Sequence, residues 1–310
     1  MNPIGGEQYV DQWKQALGQF FSLVHVFNPM TGGVDKQLSI LEAFAELNDQ
    51  WRNAIERSIA SIEQRFKTTH SQAAYIIAEA MAGLLSYQQS APIVSEPLRP
   101  SIEAAAKKQY QVRLKRQEYV LRKNIVDLYA HYHLRCSEDQ LVAEYPDMFD
   151  QDNWYLFGLS RQKLMALAVS AGAAAGALID IGVGGTSLMT GALAGGLISG
   201  AASFFITAQP DRVRIKGIPL GGKKIIVGPV KNLQFAYVLL GRAIRYQQAI
   251  ASRAHADQSL MILSSEEDKH WIDGLDKSQQ IKLTRYLQKA AKGLSQSDLQ
   301  SLQKIIARLL

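Results

Sequence analysis

Cysteine occurs once in the 310 residues, as Cys136, which excludes an intrachain disulfide and an all-cysteine metal site. The amino-terminal sequence MNPIGGEQYVDQW has no basic start followed by an apolar core. We therefore predict no secretory signal and expect the chain to begin in the cytoplasm. Charged residues make up only 20% of the chain and hydrophobic residues 47%, a balance that excludes a disordered protein.

Charge is almost absent from the 45 residues between Leu164 and Ala208, where Asp180 is the single charged side chain and 21 residues are Ala or Gly. A membrane span needs about 20 apolar residues, so this segment is long enough for two helices. The stretch from Asp180 to Ser187 has the composition of a turn. We therefore predict a helical hairpin with Asp180 at its tip.

Glycine recurs at intervals of four in this apolar segment, which predicts close packing of two helices. The predicted packing positions are Gly172, Gly176, Gly191, Gly195, Gly196 and Gly200. Basic residues flank the segment on both sides, which by the positive-inside rule keeps both ends cytoplasmic. The residues predicted to contact lipid headgroups are Arg212, Arg214, Lys216, Lys223 and Lys224. This pattern favours a transmembrane-like hairpin, with membrane lipids as partners.

The same segment also fits a pair of tightly packed helices buried inside the protein. Only about 16 of its residues are large and apolar, and its first arm, residues 164–179, would be roughly 24 Å long as a helix. That length is short of the roughly 30 Å hydrocarbon core. On this alternative the chain is a soluble helical scaffold that binds another protein through its long helices, with the Gly/Ala hairpin as core.

Most of the remaining sequence has helical periodicity, which predicts a mostly α fold, a helical bundle with a small β-hairpin. Residues 20–27 (FFSLVHVF) are expected to form a buried strand. Two long helical stretches follow, separated by a Pro-containing linker. The first is expected to be interrupted near residues 67–70, and the second is expected to begin at Ser101. Ser295 and Asp298 have the spacing of a capping box and start the last helix.

This periodicity divides the chain into five predicted units. They are residues 1–34, the end of another domain; 35–160, a long-helix pair; 161–208, the apolar hairpin; 209–262, a basic β-hairpin plus a helix; and 263–310, the C-terminal helices.

Motifs that could support catalysis or metal binding are weak, so we predict a non-enzymatic protein without cofactor or metal. Residues 217–224 resemble a phosphate-binding loop, but the following Ile-Ile-Val continues as a strand instead of opening a helix. His133 and Cys136 share one helical face, and His131 lies on another. At most two of these residues could bind one metal ion, whereas zinc needs three or four ligands. The basic segment 107–123 also contains carboxylates and is interpreted as a solvated helix face, not a nucleic-acid site.

Two stretches carry a resemblance to a known family: DMFDQDNWYLFGLSRQK at 147–163 and FAYVLLGRAIRYQQAIASRAHAD at 235–257. Together with the apolar segment between them, they resemble the bacterial domain of unknown function 3482 family, the C-terminal region of Era-like GTPase fusion proteins. The resemblance covers most of the chain from about residue 35 onward. It implies that residues 1–34 are a remnant of the end of a GTPase domain.

The chain departs from the GTPase fusions because it lacks the phosphate-binding loop, the Asp-x-x-Gly switch and the Asn-Lys-x-Asp motif. No nucleotide-binding residue is carried over. The resemblance implies a membrane-associated effector or anchor module coupled to a GTPase, located at the bacterial inner membrane with the bulk of the chain cytoplasmic. The expected partners are lipids and either a GTPase domain or a membrane protein, and homo-oligomerisation is kept as an alternative.

Overall fold

The structure is a computed structural model of the chain. It describes residues 8–21, 24, 26, 34–131, 147–150, 154–171, 206–210, 214–215, 218–219, 223–253 and 271–310. Within these residues the protein is mostly α-helical with a small antiparallel β component. The predicted fold class is confirmed at that level.

The α-helices are α1 Val10–Gly18, α2 Val34–Leu47, α3 Asp49–Ser86, α4 Arg99–Leu128, α5 Trp154–Phe157, α6 Arg161–Ser170, α7 Leu233–Ser252, α8 Lys277–Ala290 and α9 Gln296–Ile306. The strands are β1 Gln89–Pro92, β2 Ile206–Pro210, β3 Arg214–Ile215, β4 Ile218–Pro219 and β5 Lys223–Val227. Short 3₁₀ helices cover Glu96–Leu98 and Trp271–Gly274.

The break in the first long helical stretch lies at Asn48, not near residues 67–70 as predicted. The Asn48 side chain accepts a hydrogen bond of 2.9 Å from the backbone N–H of Gln50 and so caps α3. At the predicted break the helix continues, and the Thr68 hydroxyl donates to the carbonyl of Gln64 at 2.8 Å. The local cap at Asn48 therefore marks the boundary between α2 and α3, which the pattern of apolar residues does not reveal.

Helix α4 begins at Arg99, two residues before the predicted Ser101. Pro100 stands in its first turn, where a missing backbone N–H costs no hydrogen bond. The Ser101 hydroxyl donates to the carbonyl of Leu98 at 2.8 Å and does not cap the helix.

The sheet contains a strand that the sequence did not reveal. Strands β1, β5 and β2 form an antiparallel sheet with β5 in the centre, and β3 pairs with β4 in a separate ladder. The β3–β4 pair confirms an antiparallel hairpin in the predicted region, whereas β2 includes residues 206–208, which were predicted to end the apolar helical hairpin. Strand β1 comes from the linker between α3 and α4 and pairs Gln89 with Val227. Its partner lies far away in sequence, so no local pattern could predict it.

Helix α7 forms the centre of the hydrophobic core. Nearly every residue from Leu233 to Gln247 is buried, because the segment is mostly apolar and the protein surrounds it. Contacts with α7 come from α3, α4, α5 and α8. Of its polar residues, Arg242, Arg245 and Gln247 are buried as well.

Backbones approach closely where α5 crosses α7. A Cβ atom on Gly241 of α7 would overlap the carbonyl oxygen of Phe157 and would lie 3.1 Å from Nε1 of Trp271. That indole N–H donates to the same carbonyl at 3.0 Å. Glycine is required at position 241 because any side chain would push α5 off α7.

The C-terminal helices match the predicted pattern. Gly293 has a φ of +99°, a conformation that favours glycine, and it separates α8 from α9. The predicted capping box is confirmed, since Ser295 caps α9 and the Asp298 carboxylate accepts from the backbone N–H of Ser295 at 3.0 Å. Helix α9 packs against α3, where Gln303 donates to the carbonyl of Ser71 at 3.0 Å.

The predicted buried strand at residues 20–27 is not formed at the positions that the structure describes there. Phe20 lies in a turn and is 81% exposed, and Phe21 is also exposed. The preceding helix α1, all of which is described, has no buried residue. The origin of residues 1–34 from a GTPase domain stays a prediction.

The prediction of an inner-membrane location is wrong. In the described part of the chain, no helix combines the length and the apolar character needed to cross a bilayer. The first residues of the apolar segment lie in the ten-residue helix α6, where Leu164, Leu167 and Ala168 are buried in the protein core and Met165 and Val169 are exposed. The transmembrane-like hairpin is therefore unsupported, as are the membrane and glycine-zipper assignments.

Replacement of Gly241 by Ala should lower the free energy of unfolding by about 1 to 3 kcal/mol, because the added methyl group overpacks the crossing of α5 and α7. Gly83 of α3 is the matched control, since a Cβ there meets nothing within 4 Å. Gly83→Ala should raise stability by about 0.5 kcal/mol through its better helix propensity. Urea unfolding followed by circular dichroism measures both, and equal stability of the two variants would contradict the crossing geometry.

Candidate protein-binding surface

Helix α4 has two faces of different character. The inner face consists of buried residues at steps of three and four: Ala106, Tyr110, Leu114, Glu118, Leu121, Arg122 and Ile125. The outer face between them carries exposed basic and apolar side chains. The inner face anchors α4 to the body of the protein, and this anchoring determines where the outer face lies.

A buried ion cluster joins the inner face of α4 to α7. Arg242 of α7 donates to Glu118 through Nε at 2.6 Å and through one terminal nitrogen at 3.2 Å, a bidentate arrangement. Arg122 approaches the same carboxylate at 2.9 Å from the next turn of α4. Burial alone would raise the pKa of Glu118, but the two guanidinium groups outweigh it and lower this pKa below its ordinary value. The carboxylate is therefore held in its charged form.

Residues 157–161 (FGLSR), part of the first stretch that carries the family resemblance, lie directly against this cluster. The guanidinium carbons of Arg242 and Arg245 lie 5.1 Å and 5.5 Å from the centre of the Phe157 ring, within the range of cation–π attraction. Gln234 of α7 donates to the carbonyl of Leu159 at 2.9 Å. Ser160 then caps α6. The residues that carried the family resemblance thus form the joint between α5, α6 and α7.

An open groove of about 590 Å³ runs along the outer face of α4. It is lined by Tyr87, Gln89, Ala105, Lys108, Gln109, Val112, Arg113 and Arg116. The α4 residues span about 16 Å of helix. The opposite wall comes from the end of α3 and the start of β1, which are held in place by stacking of Tyr87 on Tyr110 at 5.5 Å and by a hydrogen bond of 3.1 Å from Gln89 to Gln109.

The groove has positive charge and an apolar floor. Lys108, Arg113 and Arg116 are its charged residues, and no carboxylate is among the described residues that line it. Val112, at the centre of the α4 wall, is 60% exposed. The groove therefore presents cations beside a small exposed apolar surface.

The first half of α3 is a second exposed surface. All of α3 is described, yet its buried residues begin only at Ala73, so the stretch from Asp49 to Gln72 has none. This stretch carries a stripe of large apolar residues at helical spacing: Trp51, Ile55, Ile59, Ile62 and Phe66. Trp51 is 50% exposed and Phe66 is 48% exposed, while α2 also contacts α3.

Comparison with known proteins gives one finding. A family model described as "Domain of unknown function (DUF3482)" matches residues 14–310, nearly the whole chain. The chain belongs to the DUF3482 family. No curated protein and no solved structure matches it. The family assignment made from the stretches at 147–163 and 235–257 is confirmed, whereas the fusion to a GTPase is not shown by this match.

Most residues predicted to act at a membrane fall outside the described part of this DUF3482 domain. Outside it lie Gly172, Gly176, Asp180, Gly191, Gly195, Gly196, Gly200, Arg212 and Lys216. Arg214 lies in β3, and Lys223 and Lys224 lie in β5. Lys223 begins a strand that continues to Val227, so the predicted strand after the glycine-rich turn is present.

Two of the three residues considered for a metal site lie outside the described part of the chain, so the expectation of no metal stays a prediction. Of the residues His131, His133 and Cys136, the structure describes only His131, which is buried just beyond the end of α4. Over the described ranges, no group of three or more His, Cys, Asp or Glu residues is arranged to hold a metal ion.

The groove itself was missed by sequence reasoning. The basic residues were recognised, but they were interpreted as one face of a solvated helix. The opposite wall at Tyr87 and Gln89 depends on the pairing of β1 with β5, which is a contact between distant parts of the chain.

Replacement of Glu118 by Gln should lower the free energy of unfolding by about 3 kcal/mol at neutral pH, because it removes the charged acceptor of two buried guanidinium groups. Because the pKa of Glu118 is lowered in the folded protein, its carboxylate stabilises the fold at pH values above the ordinary pKa of 4.5. This stabilisation is lost as the pH falls through the lowered pKa. The difference between wild type and variant should therefore shrink in acid. Urea unfolding at several pH values measures it.

The matched control for Glu118 is Glu103, which pairs with Lys107 one turn away on the same helix at 3.6 Å and is not buried. Glu103→Gln should change stability by less than about 0.5 kcal/mol. If Glu118→Gln were equally mild at neutral pH, the ion cluster would not hold α4 to α7.

Proposed function

We propose that this DUF3482 domain is a non-enzymatic helical scaffold that binds another protein through the exposed surfaces of its long helices. The observation that carries the proposal is the apolar stripe on the first half of α3. Large apolar patches left in contact with water are uncommon on monomeric proteins and mark interaction sites.

The stripe is shaped for another helix or an apolar groove. Trp51 and Phe66 lie fifteen residues apart, about 22 Å along the axis, with three isoleucines between them on the same side. Aromatic residues contribute most to binding energy at protein interfaces. Ile55, Ile59 and Ile62 are half-buried, so an amphipathic helix of a partner would cover mainly the exposed parts of Trp51 and Phe66 along this stripe.

The buried polar groups support a structural role for the rest of the domain. Glu118 is engaged by two arginines, and the Tyr237 hydroxyl lies 2.7 Å from the Thr284 hydroxyl, which itself donates to the carbonyl of Gln280. Burial raises the pKa of Tyr237, so its hydroxyl stays protonated. These groups join helices to one another, which suits a rigid scaffold.

The partner is part of the proposal. The family resemblance suggests a GTPase domain, and we propose that class as the first to test. The stripe on α3 is the contact surface that we assign to it.

A photo-crosslinking amino acid at the exposed position Ser58, beside the stripe, tests the proposal in cells. We expect a crosslink to another polypeptide, identified by mass spectrometry. The double variant Trp51→Ser and Phe66→Ser should lose most of this product, about tenfold, because two aromatic anchors are removed.

The control removes exposed apolar surface elsewhere. Val120 and Val169 are also exposed, and the double variant Val120→Ser and Val169→Ser should keep the product. A product of equal yield in both double variants, or no product in the wild type, would refute the proposed binding surface.

A further inference from the structure

The groove on α4 has chemistry that points to one type of partner segment. Two of its cations, Lys108 and Arg113, make no ion pair or hydrogen bond in the described part of the chain, and both are exposed. Neighbouring cations of α4 differ, because Lys107 pairs with Glu103 and Lys115 pairs with Asp147. Lys108 and Arg113 therefore remain available for a ligand in the groove.

The apolar and amide groups lie between these cations. Val112 is one turn from Lys108 and next to Arg113, and Gln89 and Gln109 meet on the β1 side. A ligand along this groove would meet positive charge at both ends of a short apolar floor. Carboxylates that flank an apolar side chain complement this pattern.

We propose that the groove binds an acidic linear segment of a partner protein, in which carboxylates face Lys108 and Arg113 and an apolar side chain packs on Val112. This deepens the proposed protein-binding function, on which it rests, by naming the chemistry of the partner. It uses a surface separate from the stripe on α3. The two surfaces can therefore be tested independently.

The groove favours an acidic peptide over a nucleic acid. Nucleic-acid sites combine many phosphate contacts with aromatic rings free to stack on bases. Here one face of the Tyr87 ring is already stacked on Tyr110, and Arg116 lies over the ring of Tyr119 at 5.6 Å. The exposed valine has no counterpart in a phosphate-binding surface.

The probe is a fluorescein-labelled peptide of twelve residues with Val at every third position and Glu at the others. Fluorescence anisotropy with the full chain should show binding that weakens between about 50 and about 300 mM sodium chloride, because the contacts are exposed ion pairs. The double variant Lys108→Glu and Arg113→Glu should weaken binding about tenfold. Val112→Ser should weaken it about threefold.

Matched controls separate the groove from general attraction to a basic protein. Lys282 and Arg285 of α8 are an exposed lysine and arginine away from the groove, and Lys282→Glu with Arg285→Glu makes the same change of net charge. This control should alter binding less than about twofold. Circular dichroism verifies that every variant keeps its helical content.

Three results would overturn the inference. They are no peptide binding by the wild type, equal weakening by the two charge-reversal pairs, and tighter binding of a fluorescein-labelled twelve-nucleotide oligothymidylate that also depends on Lys108 and Arg113. If any of them occurred while the Ser58 crosslink still formed, the groove assignment would be wrong and the α3 surface would stand. Loss of the crosslink with peptide binding preserved would instead remove the α3 surface.

Discussion

The pairing of Glu118 with Arg242 connects the two helices around which the described part of the protein is arranged. A carboxylate is costly to bury, and it is tolerated here because two guanidinium groups surround it. The same arginine lies over Phe157, so one cluster joins α4, α7 and the FGLSR segment. This contact, together with the apolar inner face of α4, holds the helix against the core and leaves the groove on its outer face.

Close packing around α7 supports the same arrangement. Gly241 lets the backbone of α5 approach, and the Trp271 indole N–H donates to the carbonyl exposed at that crossing. Leu164, Leu167 and Ala168 of α6 belong to the same core, whereas Met165 and Val169 of that helix are exposed. The membrane assignment failed because no helix in the described part of the chain is long and apolar enough to cross a bilayer.

Away from this core, the long helices leave surface in contact with water. The first half of α3 carries an apolar stripe, and the outer face of α4 carries cations around a valine. The two surfaces differ in chemistry, since one suits an apolar helix and the other an acidic segment. On the function that we propose, two such surfaces would hold two parts of one partner, or two partners, at a distance set by the long helices.

Local interactions explain which features were predictable from the sequence. The capping box at Ser295 and Asp298, the glycine between α8 and α9, the helix from Leu233 and the family membership depend on neighbouring residues or on sequence itself. Strand β1, the burial of Glu118 and the wall of the groove at Tyr87 depend on the tertiary structure, whereas the break at Asn48 follows a local cap that the apolar periodicity does not reveal. A strand needs a distant partner for its hydrogen bonds, and a buried charge needs a distant counter-charge, so neither is visible in the periodicity of one segment.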